Sequence, residues 1–335
     1  MSARGNASLN STTGSVTLGE DAGLLANGFA VVAAGQNVTI EGDIQSFGGI
    51  TISAGETLSS SGVLSTLGDI TLASTGDVDV AEGLLAGQNV EILALEEARI
   101  ENGFISTVGT ATVEGRDVAL GENALFDTGG GVSLTASEDF ENAANLAGLG
   151  QNLTLNFAAD LRNLVTGIFA FEQLDLNVAG GITNDGLIFA EGDGVLRAGS
   201  LTNNATGQIF AQNLILDISG NVINDGSIAA VDRLDITVAE QLFNNGAISA
   251  QTISLIADEV KNAASGVIQA EAGALTLSLL SDLENAGLIF SADDLTLSLG
   301  GNFSTSGIVA ANGDATLDVN AFEALAGGEL SLIHI

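Results

Sequence analysis

The sequence predicts an all-β protein, a right-handed parallel β-helix (β-solenoid) of about fifteen coils of ~20 residues with three short strands per coil. Two observations carry that prediction. A short apolar-polar-apolar segment recurs along nearly the whole chain, and two further columns, one apolar and Gly-associated and one of Asn, run in step with it.

The alternating segment reads Ile50-Thr51-Ile52, Ile70-Thr71-Leu72, Val90-Glu91-Ile92, Ala111-Thr112-Val113, Val132-Ser133-Leu134, Leu153-Thr154-Leu155 and Leu174-Asp175-Leu176. It continues as Val195-Leu196-Arg197, Leu214-Ile215-Leu216, Leu234-Asp235-Ile236, Ile253-Ser254-Leu255, Leu275-Thr276-Leu277, Leu295-Thr296-Leu297 and Ala315-Thr316-Leu317. Its thirteen steps cover 265 residues, a mean of 20.4, and none leaves the range 19 to 22. Period-2 alternation turns one set of side chains inward and the other to water.

The Gly-associated apolar column is Val63, Leu84, Phe104 and Leu125, then Ile168, Ile188, Ile209, Ile228, Ile248, Ile268, Ile289 and Val309. The Asn column is Asn142, Asn163, Asn184, Asn203, Asn224, Asn244, Asn262 and Asn285, with Thr305 in the next slot. A Gly follows most of these Asn residues, as in Asn244-Asn245-Gly246, and Asn-Gly, Asp-Gly and Ser-Gly pairs are expected to supply the left-handed or turn conformations that let the chain change direction. One such repeat cannot bury its own apolar face, whereas stacked coils spaced ~4.8 Å apart form a continuous core, on the order of 70 Å long for fifteen coils. Helical solenoids require 33–47-residue repeats of 3.6 periodicity, and propellers blades of ~40 residues.

The expected organisation is a single continuous solenoid over 1–325, with looser repeats over 1–139 and Asn-ladder repeats over 140–325. An irregular tail, 326–335, follows; it is either an uncapped last strand or sequence foreign to the native protein, and nothing functional is placed on its His334.

Composition excludes several function classes. The 335 residues carry 42 acidic and 7 basic side chains, a net charge of −35, with no Cys and a single His. Zero Cys removes disulfides, thiolate metal sites and cysteine nucleophiles, and one His leaves no Ser-His-Asp triad or histidine metal site. The charge is wrong for neutralising phosphates, so no nucleic-acid partner is expected. A mean hydropathy of +0.40 argues against disorder. No signal-peptide run or ~20-residue apolar span is present, so no membrane insertion is expected.

The pattern apolar-x-Asn-(Asn/Asp)-Gly-x-Ile-x-Ala followed by Leu-x-Leu resembles the filamentous-haemagglutinin repeats of bacterial two-partner-secretion exoproteins, the adhesins, haemolysins and stalks of contact-dependent inhibition toxins. The resemblance covers about 140–320 well and 14–139 more loosely. It implies a secreted or outer-surface fibre exported by an outer-membrane transporter. The family's amino-terminal secretion domain, with its Asn-Pro motifs, has no counterpart in a chain without Pro, and no toxin domain follows, so the chain is expected to be a central slice of something longer.

Each chemical candidate has a structural reading. The Asn column is expected to be a ladder of stacked amides rather than a ligand comb. The outward row Thr51, Thr71, Thr112, Ser133, Thr154, Ser254, Thr276, Thr296 and Thr316 suits an ice- or glycan-binding array, but Glu91, Asp175, Leu196, Ile215 and Asp235 interrupt it, and β-branched polar residues suit any solvated strand face. Glu96-Glu97, Asp258-Glu259 and Asp293-Asp294 offer oxygens for a structural Ca²⁺, yet no pair recurs at the repeat period. The acid excess is expected to keep an apolar solenoid soluble and to stop lateral association. A polysaccharide lyase or glycosidase on the same scaffold would need clustered carboxylates or a basic residue beside the substrate. Here Arg4, Arg99, Arg116, Arg162, Arg197, Arg233 and Lys261 are scattered, and the regular spacing leaves no room for cleft-building loops. The expected function is therefore a non-enzymatic stalk segment, without catalytic residues, cofactor or metal. Direct adhesion to a host glycan or protein is the alternative.

Overall fold

In a computed structural model of the chain, the structure describes residues 1–332, with side chains described outside 148–154, 156 and 332. Leu153 and Thr154 therefore lie outside the described side chains, and His334 outside the described residues. The described chain is all-β, built of parallel stacked coils of about 20 residues, about 16 turns in all. It divides into two compact units, Met1–Leu146 with Leu155–Ala159, and Ala147–Thr154 with Asp160–Ile335.

In the first unit each coil contributes one strand to each of three columns. The first column holds the Leu-x-Leu-type segments, from Ala7–Ser11 through Gly49–Ala54 and Ile70–Ser74 to Gly131–Ala136. The second runs from Val16–Leu18 to Phe140–Asn142, and the third from Ser2–Ala3 to Leu125–Thr128. Pairing is parallel and in register, as in Ile50↔Ile70↔Val90 and Leu58↔Val78↔Ala98. Inward residues alternate with exposed ones, so Ile50 and Ile52 are buried while Thr51 is exposed. Inward hydrocarbons mostly lie on their equivalents one coil away, and Phe140 of the second column also stacks at 4.5 Å on Phe157, which pairs with Ala136 in the first.

The second unit repeats the three columns. The Asn column is now the second, as in Leu161–Asn163, Val222–Asn224 and Leu283–Asn285. Four strands, Ile168–Asn184, Asp193–Asn203, Gln208–Ile218 and Ser227–Val238, run through a corner and serve more than one column.

The register corrects several expectations. Leu84 pairs with Leu64 and Ile105, not with Val63 and Phe104, and Ile105 pairs with Phe126. Ile188 likewise pairs with Phe169, not with Ile168. Leu64, Ile105 and Phe169 are fully buried, whereas Phe104 and Leu125 are exposed. In the first column Leu196 pairs with Leu176 and is buried, so the outward residue of that coil is Val195. The physical reason is shared: corners differ by a residue between coils, and in a period-2 strand a one-residue slip reverses every side chain.

Within the tail, Glu329–Leu332 forms a strand paired with Ile308–Ala311, the first of the two alternatives for that segment, entered through a turn in which Gly327 has φ +92. One further expectation changes. Among the described residues only Gly131 and Gly327 have positive φ, so the Gly after each Asn does not supply a left-handed turn. Its role is close approach: a Cβ at Gly246 would lie 2.1 Å from Gly226 O of the adjacent coil.

Candidate functional site

The Asn column is the most regular polar feature. Asn163, Asn184, Asn203, Asn224, Asn244, Asn262 and Asn285 are buried in the second unit, each at the inward end of a strand. The Nδ2 of each of the first six donates to the Oδ1 of the next at 2.8 Å. The other amide hydrogen serves the main chain, from Asn224 to Ala247 O at 3.1 Å and from Asn262 to Leu288 O at 3.1 Å. At the end, Asn285 Nδ2 donates to Thr305 Oγ1 at 3.1 Å, and that hydroxyl donates to Gly307 O at 3.2 Å. All the amide dipoles point one way, so each bond polarises the next. In the first unit Asn142 is also buried; its Nδ2 donates to Ala144 O at 3.2 Å and its Oδ1 accepts from Ala144 N at 3.1 Å.

Before Asn142, Leu18, Ile40, Ser60, Val80, Ile100 and Leu120 occupy the same inward slot, in unbroken register up to it. Within the first unit this slot thus holds a mainly apolar stack that ends on the amide of Asn142. With its amides turned inward and bonded to one another, the ladder offers nothing to a ligand in solvent.

A second polar device was not anticipated from the sequence. Asn or Asp residues at corners accept the backbone N–H of the residue one coil on. Asn89 N donates to Asp69 Oδ1 at 2.9 Å, and Thr110 N to Asn89 Oδ1 at 3.0 Å. Glu97 N donates to Asp77 at 3.1 Å, Gly181 N to Asp160 at 2.7 Å and Asn302 N to Asp282 at 2.7 Å. The signal was available as Asp or Asn immediately before an apolar strand start, as in Asp69-Ile70, Asp77-Val78 and Asp282-Leu283. Part of the acid excess therefore satisfies corner backbone.

The acid pairs are split between separate partners. Glu96 bridges to Arg116 while Glu97 takes Arg99 at 2.8 Å. Asp258 accepts from Ser281 at 2.6 Å, and Glu259 lies 3.2 Å from Lys261. Asp294 accepts Asp314 N at 2.8 Å. Among the described residues no group of three or more His, Cys, Asp or Glu is placed to hold a metal ion.

Five of the scattered bases, Arg99, Arg116, Arg197, Arg233 and Lys261, are set among acids of their own or neighbouring coils. Arg99 reaches Asp79, Glu97 and Glu101, Arg116 reaches Glu96, Asp117 and Glu138, and Arg197 reaches Asp175. The hydrogen bond that the Lys261 ammonium donates to Glu259, with the charges of Glu259 and Glu284, holds that ammonium above its ordinary range, the opposite of what a general base requires. Asp79 is pushed up, chiefly by burial and further by Glu97, Asp77 and Glu101, against the opposing charge of Arg99.

Surface concavities are open grooves between stacked side chains. One of 420 Å³ is lined by Phe243, Lys261, Glu284, Ser304 and Leu325, and one of 400 Å³ by Asp77, Asp79, Glu97, Arg99 and Glu101. The outward Thr/Ser row is present, with Thr71, Thr112, Ser254, Thr276 and Thr296 half-buried and Thr51, Ser133 and Thr316 exposed. Among the described residues no helix is long and apolar enough to cross a membrane. No family model, curated protein or solved structure matches this chain.

Proposed function

We propose that the chain is a non-enzymatic spacer, a stalk or fibre segment of a large secreted or surface-exposed bacterial exoprotein of the adhesin type, akin to filamentous-haemagglutinin repeats. The observation that supports this reading is uniformity. Within each unit coil follows coil, each adding ~4.8 Å along the stacking direction, with the interior sealed by hydrocarbon and a bonded amide ladder. Arg99, Arg116, Arg197, Arg233 and Lys261 are drawn into ion pairs along the coils rather than gathered in a cleft. Such a segment provides reach and stiffness rather than chemistry. Export would run through an outer-membrane transporter encoded beside the parent gene.

A second reading, direct adhesion, draws on the groove in which Phe243 lies beside Lys261 and Glu284, an apolar ring with polar neighbours of the kind that suits a sugar. The purified chain distinguishes the two on a glycan array and on cultured cells. The spacer reading expects no saturable binding. Saturable binding lost on Phe243→Ala would replace it with adhesion, and turnover of any polysaccharide would overturn both. A neighbouring transporter gene is the expected genomic context, and its absence would remove the export route.

A further inference from the structure

Four Asn-Gly pairs occur in the chain, Asn27-Gly28, Asn102-Gly103, Asn245-Gly246 and Asn312-Gly313. In such a pair no side chain obstructs the Gly nitrogen, and it can close on the Asn side-chain carbonyl to form a five-membered imide. The stacked coils treat the four differently. Gly28 N donates to Gly5 O at 3.0 Å, Gly246 N to Asn224 O at 2.9 Å and Gly313 N to Asp293 O at 3.0 Å, each a carbonyl of the preceding coil. Gly103 N has no such partner among the described residues, so ring closure there breaks no hydrogen bond of the fold.

The carbonyl to be attacked differs too. Asn102 is exposed, and its Oδ1 accepts from Asn123 Nδ2 of the next coil at 2.8 Å. That bond polarises the amide and makes Cγ the better electrophile. Asn245 is polarised likewise by the Ser265 hydroxyl, but its Nδ2 is held by Asp225 at 3.2 Å and its Gly nitrogen by Asn224. Of the four, Asn102 joins a polarised amide to an unheld Gly nitrogen. Gly103 is packed so closely that an added Cβ would lie 2.9 Å from Ile100 Cγ2, while Glu101, Asn102 and Phe104 around it are exposed and border the corner with solvent.

We propose that Asn102 is a self-modification site, at which the chain converts an amide to an acid with water as the only reactant. Gly103 N gives its proton to solvent base and attacks Asn102 Cγ; the Cγ–N bond forms, the Cγ–Nδ2 bond breaks, and ammonia leaves. Water then opens the imide. Cleavage of the new Cγ–N bond restores the main chain with aspartate at 102. Cleavage between the main-chain carbonyl of residue 102 and Gly103 N leaves isoaspartate, whose backbone runs through Cβ and Cγ. One amide and one water become one carboxylate and one ammonium, with no oxidation or reduction. The corner joins Glu97–Ile100 to Phe104–Thr107, strands that are paired on both sides. The longer backbone of isoaspartate is therefore confined to the corner. The proposal stands independently of the spacer reading.

Trypsin cuts after Arg99 and Arg116, and the peptide 100–116 contains no Asn but Asn102. The folded whole chain, kept in warm, mildly alkaline buffer and then unfolded and digested, should show this peptide gaining about one mass unit, with isoaspartate and aspartate resolved by fragmentation. Conversion at Asn27, Asn245 and Asn312 should lag roughly fivefold or more, the weight of one net hydrogen bond at each Gly nitrogen. In urea, where the stacking is lost, the lag should disappear. Asn123→Ala, at an exposed position, should slow Asn102 about twofold or more at unchanged circular dichroism. No gain in 100–116, or equal rates at all four sites in the folded chain, overturns the proposal. A lag that persists in urea overturns its structural cause, and an unchanged rate in Asn123→Ala overturns the part given to Asn123.

Discussion

Asn224 accepts from Asn203 and donates to Asn244, both at 2.8 Å, and is fully buried. Asn224→Ala leaves a donor and an acceptor without partners inside the protein, at an expected cost of about 1–3 kcal/mol, read as a lower urea midpoint at unchanged m-value. Leu277 and Thr276 test the alternation. Leu277 is fully buried and Thr276 half-buried on the solvated side. Leu277→Asp should therefore cost several kcal/mol by burying an unpaired carboxylate, and Thr276→Asp should barely move Tm; equal shifts would contradict the register. Asp79 gives a pH signature. An acid whose folded pKa lies above its unfolded value of ~3.9 binds its proton more tightly when folded. Its ionisation therefore weakens the fold as pH rises through the folded value. Asp79→Asn should raise Tm slightly at pH 7, and the gain should vanish once the pH falls below the unfolded value. A loss at pH 7 would show instead that the Arg99 charge, 3.7 Å away, dominates.

Strands here are short, commonly three to six residues, and none is stable alone; each is held by the strand above and below. The corners set how closely coils can stack, and there the backbone itself is the steric limit. Gly246 and Gly287 each leave only 2.1 Å between an added Cβ and a carbonyl oxygen of the neighbouring coil, Gly226 O and Gly266 O. Gly246→Ala must push that coil away or distort the corner. A loss of about 1–3 kcal/mol, the range of overpacking, is expected by thermal or urea unfolding, although alanine is ordinarily the better residue wherever φ is negative. No loss would mean that the corner gives way freely.

At the scale of the whole molecule, stability in a stack of repeats is approximately a sum of coil and interface terms, so the coil is the unit of permitted change. Deleting 224–243 joins Ile223 to Asn244, which is in register with Asn224, and leaves Asn203 facing the next amide of the ladder. That variant should keep a strand-type circular dichroism spectrum and a single cooperative transition. Deleting only 224–233 removes half a coil, so that Leu234, which pairs with Leu214 and Ile253 in the first column, would follow Ile223 in the second, and should abolish cooperative unfolding. Survival of the half-coil deletion would argue against the registered stack.

The sequence by itself determined the repeat length, the parallel coil and the inward Asn column, because a 20-residue period and a two-residue alternation are local properties of the chain. It did not determine phase. Whether Val63 or Leu64, Phe104 or Ile105, Val195 or Leu196 turns inward depends on how many residues each corner consumes, and only the stacking of one coil on the next decides that. The same holds for the glycines, whose constraint is a neighbouring carbonyl rather than their own φ, and for Asp69, Asp77 and Asp282, whose acceptor role exists only once a backbone N–H from the next coil is brought to them.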